Sequence, residues 1–354
     1  MGILSSKTSE NGLIFDPRKI LGMQSASTAS TTVTGGLMRF PPTLRPTLIL
    51  GASGRIGGLL RHQWASAGAD LRWQRRARPE GAEAGAQGWH VLDPLTDPDA
   101  LAEAARCAAA ILCLAGPVPG GAAGRELSAR QLVQHRDLAL ATLEAAARVR
   151  EAETGAGTGA PRLLLASSAA VYGAAPGPLS EDIPLAPMAP YGVAKAEMEQ
   201  AAQARAAELG LEISLLRIGN IAGIDAILGG WRAGFCLDQF ADGQTPRRSY
   251  IGPRTLAEVL ATLIQCPDLP QVLNIAQPGA VAMGDLLQAA GLDCARRPAP
   301  AQAIAEVQLD VTRLIGLLAD QPAALPAASP QDLVAEARAL SLLPQSAPDK
   351  DTRI

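Results

Sequence analysis

The sequence predicts an α/β protein with a doubly wound parallel sheet and a smaller C-terminal lobe. Short apolar runs alternate with longer helical patterns between residue 47 and about residue 276. This alternation is typical of a parallel sheet covered by helices on both faces. A glycine-rich turn joins the first apolar run to the first helical pattern. With 354 residues, of which 48% are hydrophobic, the chain can build one large domain or two smaller ones.

The predicted elements follow one another in a regular order. Apolar runs of about four to six residues predict buried strands, and longer Ala-, Leu- and Arg-rich stretches predict helices. Strands are predicted at residues 47–50, 70–74, 89–92, 109–114, 162–166, 212–217 and 272–276. Helices are predicted at residues 56–67, 127–150, 191–209, 255–264 and 283–290, the first of them closed by Gly68.

Charge and cysteine content exclude several classes of protein. The formal net charge is −3 with 18% charged residues, whereas nucleic-acid binders carry a basic excess, so we expect no nucleic-acid partner. No uncharged apolar stretch reaches the helix of about 20 residues that spans a bilayer, so we expect no membrane association. The five cysteines are widely spaced, which predicts free thiols, no metal site and a reducing, cytoplasmic location.

The turn after the first strand has the composition of a phosphate-binding loop. Gly51 permits a tight turn, Gly54 lets the backbone approach a pyrophosphate, and Gly57 allows the helix to pack closely on the strand. The helix N-terminus adds free N–H groups and the positive end of its dipole. We therefore predict that the dinucleotide phosphates are bound by Gly51, Ser53, Gly54, Arg55, Ile56 and Gly57.

Lys195 is the single lysine between residues 20 and 349, among many arginines. Tyr191 precedes it by four residues, so the two side chains share one face of a predicted helix. A free tyrosine has a pKa near 10, and a nearby cation lowers that pKa by about 1–3 units. Tyr191 could then pass a proton to or from a substrate hydroxyl as a hydride moves. The fifth strand ends in Ser167 and Ser168, and a hydroxyl there could hold the same substrate oxygen.

Four segments, in order, carry a resemblance to a known family: ILGASGRIG, LLLASSAAVYG, APYGVAK and LRIGNIAG. From about residue 47 to about residue 338 the chain resembles the extended short-chain dehydrogenases/reductases of the NAD-dependent epimerase/dehydratase group. Members of that group have a Rossmann fold and act largely on nucleotide sugars. The resemblance therefore implies an enzyme with a nicotinamide cofactor.

The resemblance also implies individual roles. It makes Ser168, Tyr191 and Lys195 the catalytic triad, with Ser168 also contacting substrate and the other two also contacting cofactor. Ser168 is chosen over Ser167 because the family's serine stands three residues before the valine of the VYG element. Further cofactor contacts are implied for Asp93, Leu114, Ala115, Gly116 and Ile218, and a substrate-phosphate contact for Asn220.

Two departures from the family pattern bear on the activity. Ala169 and Ala170 stand where nucleotide-sugar 4,6-dehydratases carry an Asp-Glu pair, so that elimination lacks its acid and base. His135 stands where the family usually has an asparagine, and we interpret it as a helix-surface or packing residue.

Composition and motifs together suggest four zones. Residues 1–45 are predicted to be a flexible leader, because Ser, Thr, Ala and Gly precede a run of prolines. Residues 46–225 are the predicted dinucleotide-binding domain, completed by a returning strand near residues 272–276. Residues 226–344 are predicted to form mainly a substrate-binding lobe, and residues 345–354 a loose tail.

Arginines suggest two further sites. Arg247, Arg248 and Arg254 flank a short strand and Arg232 precedes them. Guanidinium forks suit the diphosphate of a nucleotide sugar, so Arg248 and Arg254 are predicted substrate ligands, with a solvated basic surface as the equal alternative.

The second predicted strand bears on whether the cofactor is NAD or NADP. Its end carries Arg75 and Arg76 and no acid, whereas an NAD site usually places an acid about 20 residues after the glycine turn. With Arg55 expected to reach the same phosphate, the pattern favours NADP over NAD.

The leading function is an epimerase or reductase that transfers hydride at a sugar-like secondary alcohol or ketone, with a nucleotide sugar as substrate. Two alternatives stay open: an NADPH-dependent reductase of a small carbonyl compound, and a non-catalytic dinucleotide-binding regulatory protein. Because relatives of this kind pair through their two long helices, we also expect a homodimer.

Overall fold

The computed structural model describes residues 45–65, 70–77, 88–119, 127–153, 159–319 and 325–344. The predicted leader, apart from Arg45, lies outside these ranges, and so do the predicted tail and Gly68. The strands are β1 Thr47–Leu50, β2 Leu71–Arg75, β3 Trp89–Val91, β4 Ala110–Cys113, β5 Arg162–Ser168, β6 Pro178–Leu179, β7 Ile213–Ile218, β8 Asn220–Ile221, β9 Cys236–Gln239, β10 Arg247–Arg248, β11 Tyr250–Ile251, β12 Val272–Ile275, β13 Val281–Ala282, β14 Ala295–Pro298 and β15 Glu306–Leu309. The helices are α1 Arg55–Trp64, α2 Pro98–Ala105, α3 Ala129–Ala152, α4 Pro190–Leu209, α5 Pro253–Gln265, α6 Met283–Ala290, α7 Thr312–Leu317 and α8 Pro330–Ala339.

Seven parallel strands form the central sheet, in the order β12-β7-β5-β4-β1-β2-β3. β1 pairs with both β2 and β4, so that Thr47 is in register with Leu71 on one side and with Ala110 on the other. The chain therefore winds outwards from β1 in both directions, and the strand order reverses between β1 and β4. Ligands of open α/β sheets bind at the carboxyl ends of the strands at such a switch point. The topology confirms the predicted doubly wound sheet.

Alternate residues of β1 show how both faces of the sheet are covered. Ile49 belongs to a cluster with α1 and α5, whereas Leu48 and Leu50 belong to a second cluster with α2, α3 and α4. All three side chains are fully buried. Because side chains of a strand alternate between faces, an uninterrupted apolar strand needs helices on both sides, which is the arrangement found.

Smaller sheets build the C-terminal part. One has the order β13-β10-β15-β6, and two pairs join β11 to β8 and β14 to β9. A third apolar cluster fills the space between these strands, α6 and α8, and includes Leu237, Tyr250, Leu286 and Leu333.

The predicted elements are found within about three residues of their predicted ends wherever the chain is described, and the short strand between Arg248 and Arg254 is found as β11. In contrast, α2, α7, α8 and the other short strands were not predicted. Most of those strands have only two residues, too few to show a period of two. The proposed division between a dinucleotide-binding domain and a substrate lobe stays a proposal.

Two adjacent glycines of α1 give a test of the packing behind the glycine turn. A Cβ on Gly57 would lie 2.5 Å from the backbone of Ala52, whereas a Cβ on Gly58 would meet only Arg61, at 3.9 Å. We expect Gly57→Ala to lower Tm by several degrees, because overpacking costs about 1–3 kcal/mol. Gly58→Ala is the matched control and should leave Tm unchanged or raise it, since alanine is the better helix former. Equal Tm values for the two variants in thermal unfolding would contradict this packing.

Candidate active site

At the switch point, the glycine turn after β1 lies close against the backbone that follows β4. Gly51 has a φ of +77°, and a Cβ there would lie 2.7 Å from the backbone of Ala115 at the end of β4. Gly54 is the N-cap of α1 and supplies no side-chain cap, so the first N–H groups of α1 are left for a ligand. The turn therefore has the shape that the sequence predicted for a pyrophosphate.

Gln74 secures this turn and was not predicted. Its side chain is 2% exposed. Its Oε1 accepts a hydrogen bond from the Gly51 amide at 2.9 Å, and its Nε2 donates to the Leu92 carbonyl at 2.7 Å. One amide side chain thus ties β1, β2 and the end of β3 together. No clear signal in the sequence identifies it, because β2 also contains two arginines.

Arginines and a tryptophan meet at the end of β2 and the start of β3. The Arg75 guanidinium lies 4.7 Å from the centre of the Trp89 ring, and the Arg61 guanidinium lies 4.9 Å from the same ring. Arg76 follows and is exposed. The Arg–Trp cluster, as we call it, is composed of Arg61, Arg75 and Trp89. Arg61 was not among the predicted cofactor residues.

Arg55 takes a different direction from the one we expected. Its Nη1 donates to the Ile224 carbonyl at 2.6 Å, and its charge acts on Tyr191. That Arg55 joins Arg75 and Arg76 at one phosphate stays a prediction, and this contact does not support it. Asp93 lies in the turn after β3, where its Oδ1 accepts from the Leu95 amide at 3.0 Å.

The three predicted catalytic residues lie at the carboxyl end of the sheet. Ser168 ends β5, and its Oγ accepts from the Ala170 amide at 3.2 Å. Tyr191 and Lys195 lie in the first two turns of α4, and the Lys195 ammonium donates to the Ala166 carbonyl at 2.7 Å. Ser168 is also within hydrogen-bonding reach of Tyr191 and acts on its pKa. The structure thus brings the three residues together.

Burial dominates the ionisation of this site. It raises the pKa of Tyr191 to about 12, although Ser168 and the charge of Arg55 act in the opposite direction. It lowers the pKa of Lys195 to about 8, while Cys113 and Glu199 act to raise it. The expectation that Lys195 holds the pKa of Tyr191 below 10 is therefore wrong for this structure, because the loss of water around the phenol outweighs nearby charges.

A buried ion pair lies one helical turn beyond Lys195. Glu199 is 1% exposed, and its carboxylate accepts from the Arg217 guanidinium of β7 at 2.8–3.1 Å. Ser167 donates to the same carboxylate, so Ser167 faces the interior while Ser168 faces Tyr191. The spacing Tyr191, Lys195, Glu199 was the sequence signal that could have identified this pair.

The strand end that was expected to line the cofactor is packed against His135. Leu114, Ala115 and Gly116 are half-buried, and a Cβ on Gly116 would lie 2.6 Å from Nδ1 of His135. His135 is 3% exposed, so the helix-surface interpretation is wrong and the packing interpretation fits.

The segment after β7 connects the site to the C-terminal part. Ile218 is buried, and Asn220 of β8 pairs with Tyr250 of β11. The Tyr250 hydroxyl donates to the buried carboxylate of Asp225 at 2.8 Å, and burial raises the pKa of Asp225.

The arginines near β10 do not form one clamp. Arg247 makes an ion pair with Glu306 at 2.8 Å. Arg248 donates to the carbonyls of Arg247 and Ile304 at 2.7 and 3.0 Å. Arg254 lies on the first turn of α5 and is half-buried, and Arg232 is exposed.

An open cavity of about 500 Å³ lies in this part of the molecule. The ends of β9 and β14 and the loop after β14 line it, with Arg296 and Arg297 among the lining residues.

A glycine turn at a sheet switch point beside a Ser, Tyr and Lys cluster defines a dinucleotide-binding enzyme of the short-chain dehydrogenase/reductase type. Residues 47–228 match the model of the NAD dependent epimerase/dehydratase family. The chain belongs to that family. The resemblance expected from the sequence is confirmed.

Solved structures share the fold at low sequence identity. UDP-glucose 4-epimerase from Brucella ovis in complex with NAD has a TM-score of 0.68 and 18% identity, over 85% of this chain and 99% of that one. MoeE5 in complex with UDP-glucuronic acid and NAD has a TM-score of 0.65 and 21% identity, over 84% and 98%. UDP-glucose 4-epimerase from Thermus thermophilus in complex with NAD has a TM-score of 0.63 and 17% identity, over 84% and 99%.

All three structures are complexes with NAD, so they do not support the expected preference for NADP. Curated protein sequences gave no match. Among the described residues, no helix has the length and apolar character needed to cross a membrane. The same residues contain no group of three or more His, Cys, Asp or Glu side chains placed to hold a metal ion.

The buried ammonium of Lys195 should lower the stability of the folded protein at neutral pH. Lys195→Met should raise the free energy of unfolding at pH 7 by about 1–3 kcal/mol, because a buried cation is replaced by an apolar side chain. In the unfolded chain Lys195 has a pKa near 10.5, against about 8 when folded. As pH rises, Lys195 therefore loses its proton in the folded protein before it does so in the unfolded chain. The free energy of unfolding rises between about pH 8 and pH 10.5 as a result. The difference in free energy of unfolding between Lys195→Met and the unchanged protein, measured by urea unfolding, should shrink over that pH range. An equal or lower stability of the variant at pH 7 would contradict this.

Proposed function

We propose that the protein is an NAD(P)-dependent epimerase or reductase that transfers hydride at a secondary alcohol or ketone of a nucleotide sugar. The observation that carries the proposal is the joint placement of Ser168, Tyr191 and Lys195 beside the glycine turn at the switch point. The cradle fits a dinucleotide, since side chains at Gly51 or Gly57 would collide with backbone. Bound there, the nicotinamide would accept or supply the hydride.

Tyr191 is the proton-transferring residue in this proposal. With a pKa of about 12 the phenol is protonated near neutral pH, so it is ready to donate to a carbonyl oxygen that receives a hydride. Ser168 lies beside it and orients the same substrate oxygen. The charge of Arg55 acts to lower the pKa of Tyr191 and so favours the phenolate that forms as the proton leaves. In this proposal Lys195, one helical turn further along α4, adds to that effect.

A nucleotide sugar is favoured as substrate over a small carbonyl compound because the similar solved structures are a UDP-glucuronic acid complex and two UDP-glucose epimerases. The open cavity in the C-terminal part is a separate feature, and its lining includes none of Ser168, Tyr191 and Lys195. Its volume of about 500 Å³ falls within the usual range of about 300–1,000 Å³ for ligand sites. Arg296 and Arg297 line it, and the Arg297 guanidinium is already paired with Asp238 at 2.7 Å. Forks of this kind suit phosphate oxygens, and they add a candidate subsite to Arg248 and Arg254, which remain predictions.

Tyr191→Phe tests the mechanism. The variant should keep its Tm and its cofactor affinity but lose about 10²–10⁴ in kcat, because only the proton-transferring hydroxyl is removed and the ring is kept. UDP-glucose and UDP-glucuronic acid, the ligands named for MoeE5, are the probes.

Tyr172→Phe is the matched control. The Tyr172 hydroxyl donates to Asn274 at 2.7 Å in the core, so its loss should lower Tm and spare kcat. Near-full activity of Tyr191→Phe would contradict the mechanism. Turnover of a plain ketone alone would favour the small-carbonyl reductase, and cofactor binding without any turnover would favour the regulatory protein.

We further propose NADP as the cofactor that this chain prefers. The Arg–Trp cluster supports this choice, since two guanidinium groups stacked on one indole are held in place at the end of β2. Held guanidinium groups suit a 2′-phosphate, which a carboxylate at that end would repel.

Titration with NAD and NADP tests the cofactor choice. Arg61→Met and Arg75→Met should each weaken NADP binding about tenfold and leave NAD binding unchanged, because a charge-assisted hydrogen bond is lost. Arg148→Met is the control, since Arg148 of α3 pairs with the exposed Asp99 of α2. Tighter binding of NAD than NADP by the unchanged protein would contradict the choice and would favour the epimerase.

A homodimer and a cytoplasmic location complete the proposal. Val133 of α3 and Val193 of α4 are about two-fifths exposed, on the helices through which we expect two copies to pair. Light scattering at micromolar concentration should give about twice the chain mass of 36.5 kDa, and a mass near 36.5 kDa would contradict the dimer. All five cysteines are free, as expected in a reducing compartment.

A further inference from the structure

Tyr250 of β11 has a ring that packs in the core and a hydroxyl that belongs to a chain of hydrogen bonds. The ring is fully buried in the apolar cluster that includes Leu237 and Leu286. The hydroxyl donates to Oδ2 of Asp225 at 2.8 Å. The other carboxylate oxygen, Oδ1, accepts from the Leu228 amide at 3.1 Å. Both oxygens of the Asp225 carboxylate are therefore held in place.

Packing alone does not explain the pairing of Tyr250 with Asp225. Burial raises the pKa of Asp225, and it raises the pKa of Tyr250 well above the usual value for a phenol. Removing a carboxylate and a hydroxyl from water costs free energy, even when the two groups are hydrogen-bonded to each other. Two apolar side chains of similar size would fill the same space without this cost. We therefore expect the pair to do more than fill the core.

Asn220 of β8 is the third member of the chain. It is in register with Tyr250, and its side chain is within hydrogen-bonding reach of the Tyr250 hydroxyl. Because the phenolic proton is donated to Asp225, the Tyr250 oxygen can only accept a further hydrogen bond. Only the NH₂ group of the Asn220 amide can donate to it. The amide is therefore held in one of its two orientations.

Asn220 also lies beside the candidate catalytic residues. Ser168, the last residue of β5, is in register with Ile218 of β7, and Asn220 follows Ile218 by two residues at the same carboxyl end of the sheet. Asn220 is partly exposed, whereas Tyr250 is fully buried. With one N–H directed at Tyr250, the second N–H and Oδ1 of the amide are left for other partners.

We propose that Tyr250 and Asp225 are positioning residues, which hold the Asn220 amide in a single orientation for a nucleotide sugar bound beside Ser168. The inference rests on the proposed function. The second N–H of Asn220 then donates to an oxygen of that ligand, which belongs either to the sugar or to the diphosphate. Without the Tyr250 hydroxyl the amide can turn, so the hydrogen bond to the ligand is weakened.

Tyr250→Phe tests the proposal, because it removes the hydroxyl and keeps the ring. With the cofactor bound, the variant should bind UDP-glucose about 5- to 10-fold more weakly in isothermal titration calorimetry, since one hydrogen bond is weakened. KM for UDP-glucose should rise by the same factor, while kcat and the Kd of the cofactor stay unchanged. Titration with UDP identifies the contacted oxygen. Weaker binding of UDP as well points to the diphosphate, and weaker binding of UDP-glucose alone points to the sugar.

Tyr172→Phe is the matched control, because Tyr172 is also fully buried and its hydroxyl donates to Asn274 in the core, at 2.7 Å. Both Phe variants should lower Tm, since each loses a buried hydrogen bond. Only Tyr250→Phe should weaken the binding of UDP-glucose. Equal weakening in both variants would show a general loss of stability and would overturn the inference.

Asp225→Asn tests the direction of the hydrogen bonds and keeps the shape of the side chain. If its oxygen continues to accept from the Leu228 amide, its NH₂ group faces Tyr250 and donates to the phenolic oxygen. The phenolic proton then turns towards Asn220, whose Oδ1 must accept it. The Asn220 amide is thereby reversed, and binding of UDP-glucose should weaken as it does in Tyr250→Phe.

Asparagine-selective ¹⁵N labelling reports on the amide itself, because the chain has three asparagines, at positions 11, 220 and 274. The side-chain signal of Asn220 is the one that disappears in Asn220→Ala. It should shift in Tyr250→Phe, in Asp225→Asn and on addition of UDP-glucose, and it should stay in place in Tyr172→Phe.

The outcomes distinguish this inference from the proposed function. If the unchanged protein binds UDP-glucose or UDP-glucuronic acid, and Tyr250→Phe and Asp225→Asn bind the same ligand as tightly, the inference is overturned while the function stands. If the unchanged protein binds neither nucleotide sugar, both are overturned.

Discussion

The close approach of the Gly51 turn to the end of β4 is the constraint on which the rest of the site depends. A Cβ on Gly51 would come within 2.7 Å of the Ala115 backbone. Only glycine therefore allows the chain to turn away from β4 so close to its end. β1 and β4 are also the two strands between which the strand order reverses, so this turn lies at the switch point of the sheet. Gln74 then fixes the turn from the side of β2, and the N-terminus of α1 is left facing the space in which phosphates are expected.

Burial at the carboxyl end of the sheet determines the chemistry. The phenol of Tyr191 and the ammonium of Lys195 are both moved towards their neutral forms, with pKa values of about 12 and about 8. Such a site is costly to fold, and a buried ion pair lies beneath it. The Glu199–Arg217 pair is held by two-pronged hydrogen bonds, which anchor α4 to β7 directly below the catalytic turn. Buried pairs of this kind are weak sources of net stability but strong determinants of geometry.

Arg55 links the two halves of the active-site cleft. It begins α1, beside the expected phosphate position, yet it donates to the Ile224 carbonyl beyond β8 and its charge acts to lower the pKa of Tyr191. The next residue, Asp225, is held by the Tyr250 hydroxyl. A chain of contacts therefore runs from the dinucleotide turn to the C-terminal part, where substrate recognition is expected.

The sequence alone determined the order of the elements, the doubly wound class and the segments that meet at the carboxyl end of the sheet. These follow from local information: apolar periodicity, glycine spacing and the i, i+4 relation of Tyr191 to Lys195. Tertiary structure alone decided the direction of Arg55, the burial of His135 and the sign of the shift in the pKa of Tyr191. Each of these depends on residues distant in sequence, such as Ile224 for Arg55 and Gly116 for His135. The shift of Tyr191 further depends on how much water the folded chain removes from the phenol, which no spacing along the sequence records.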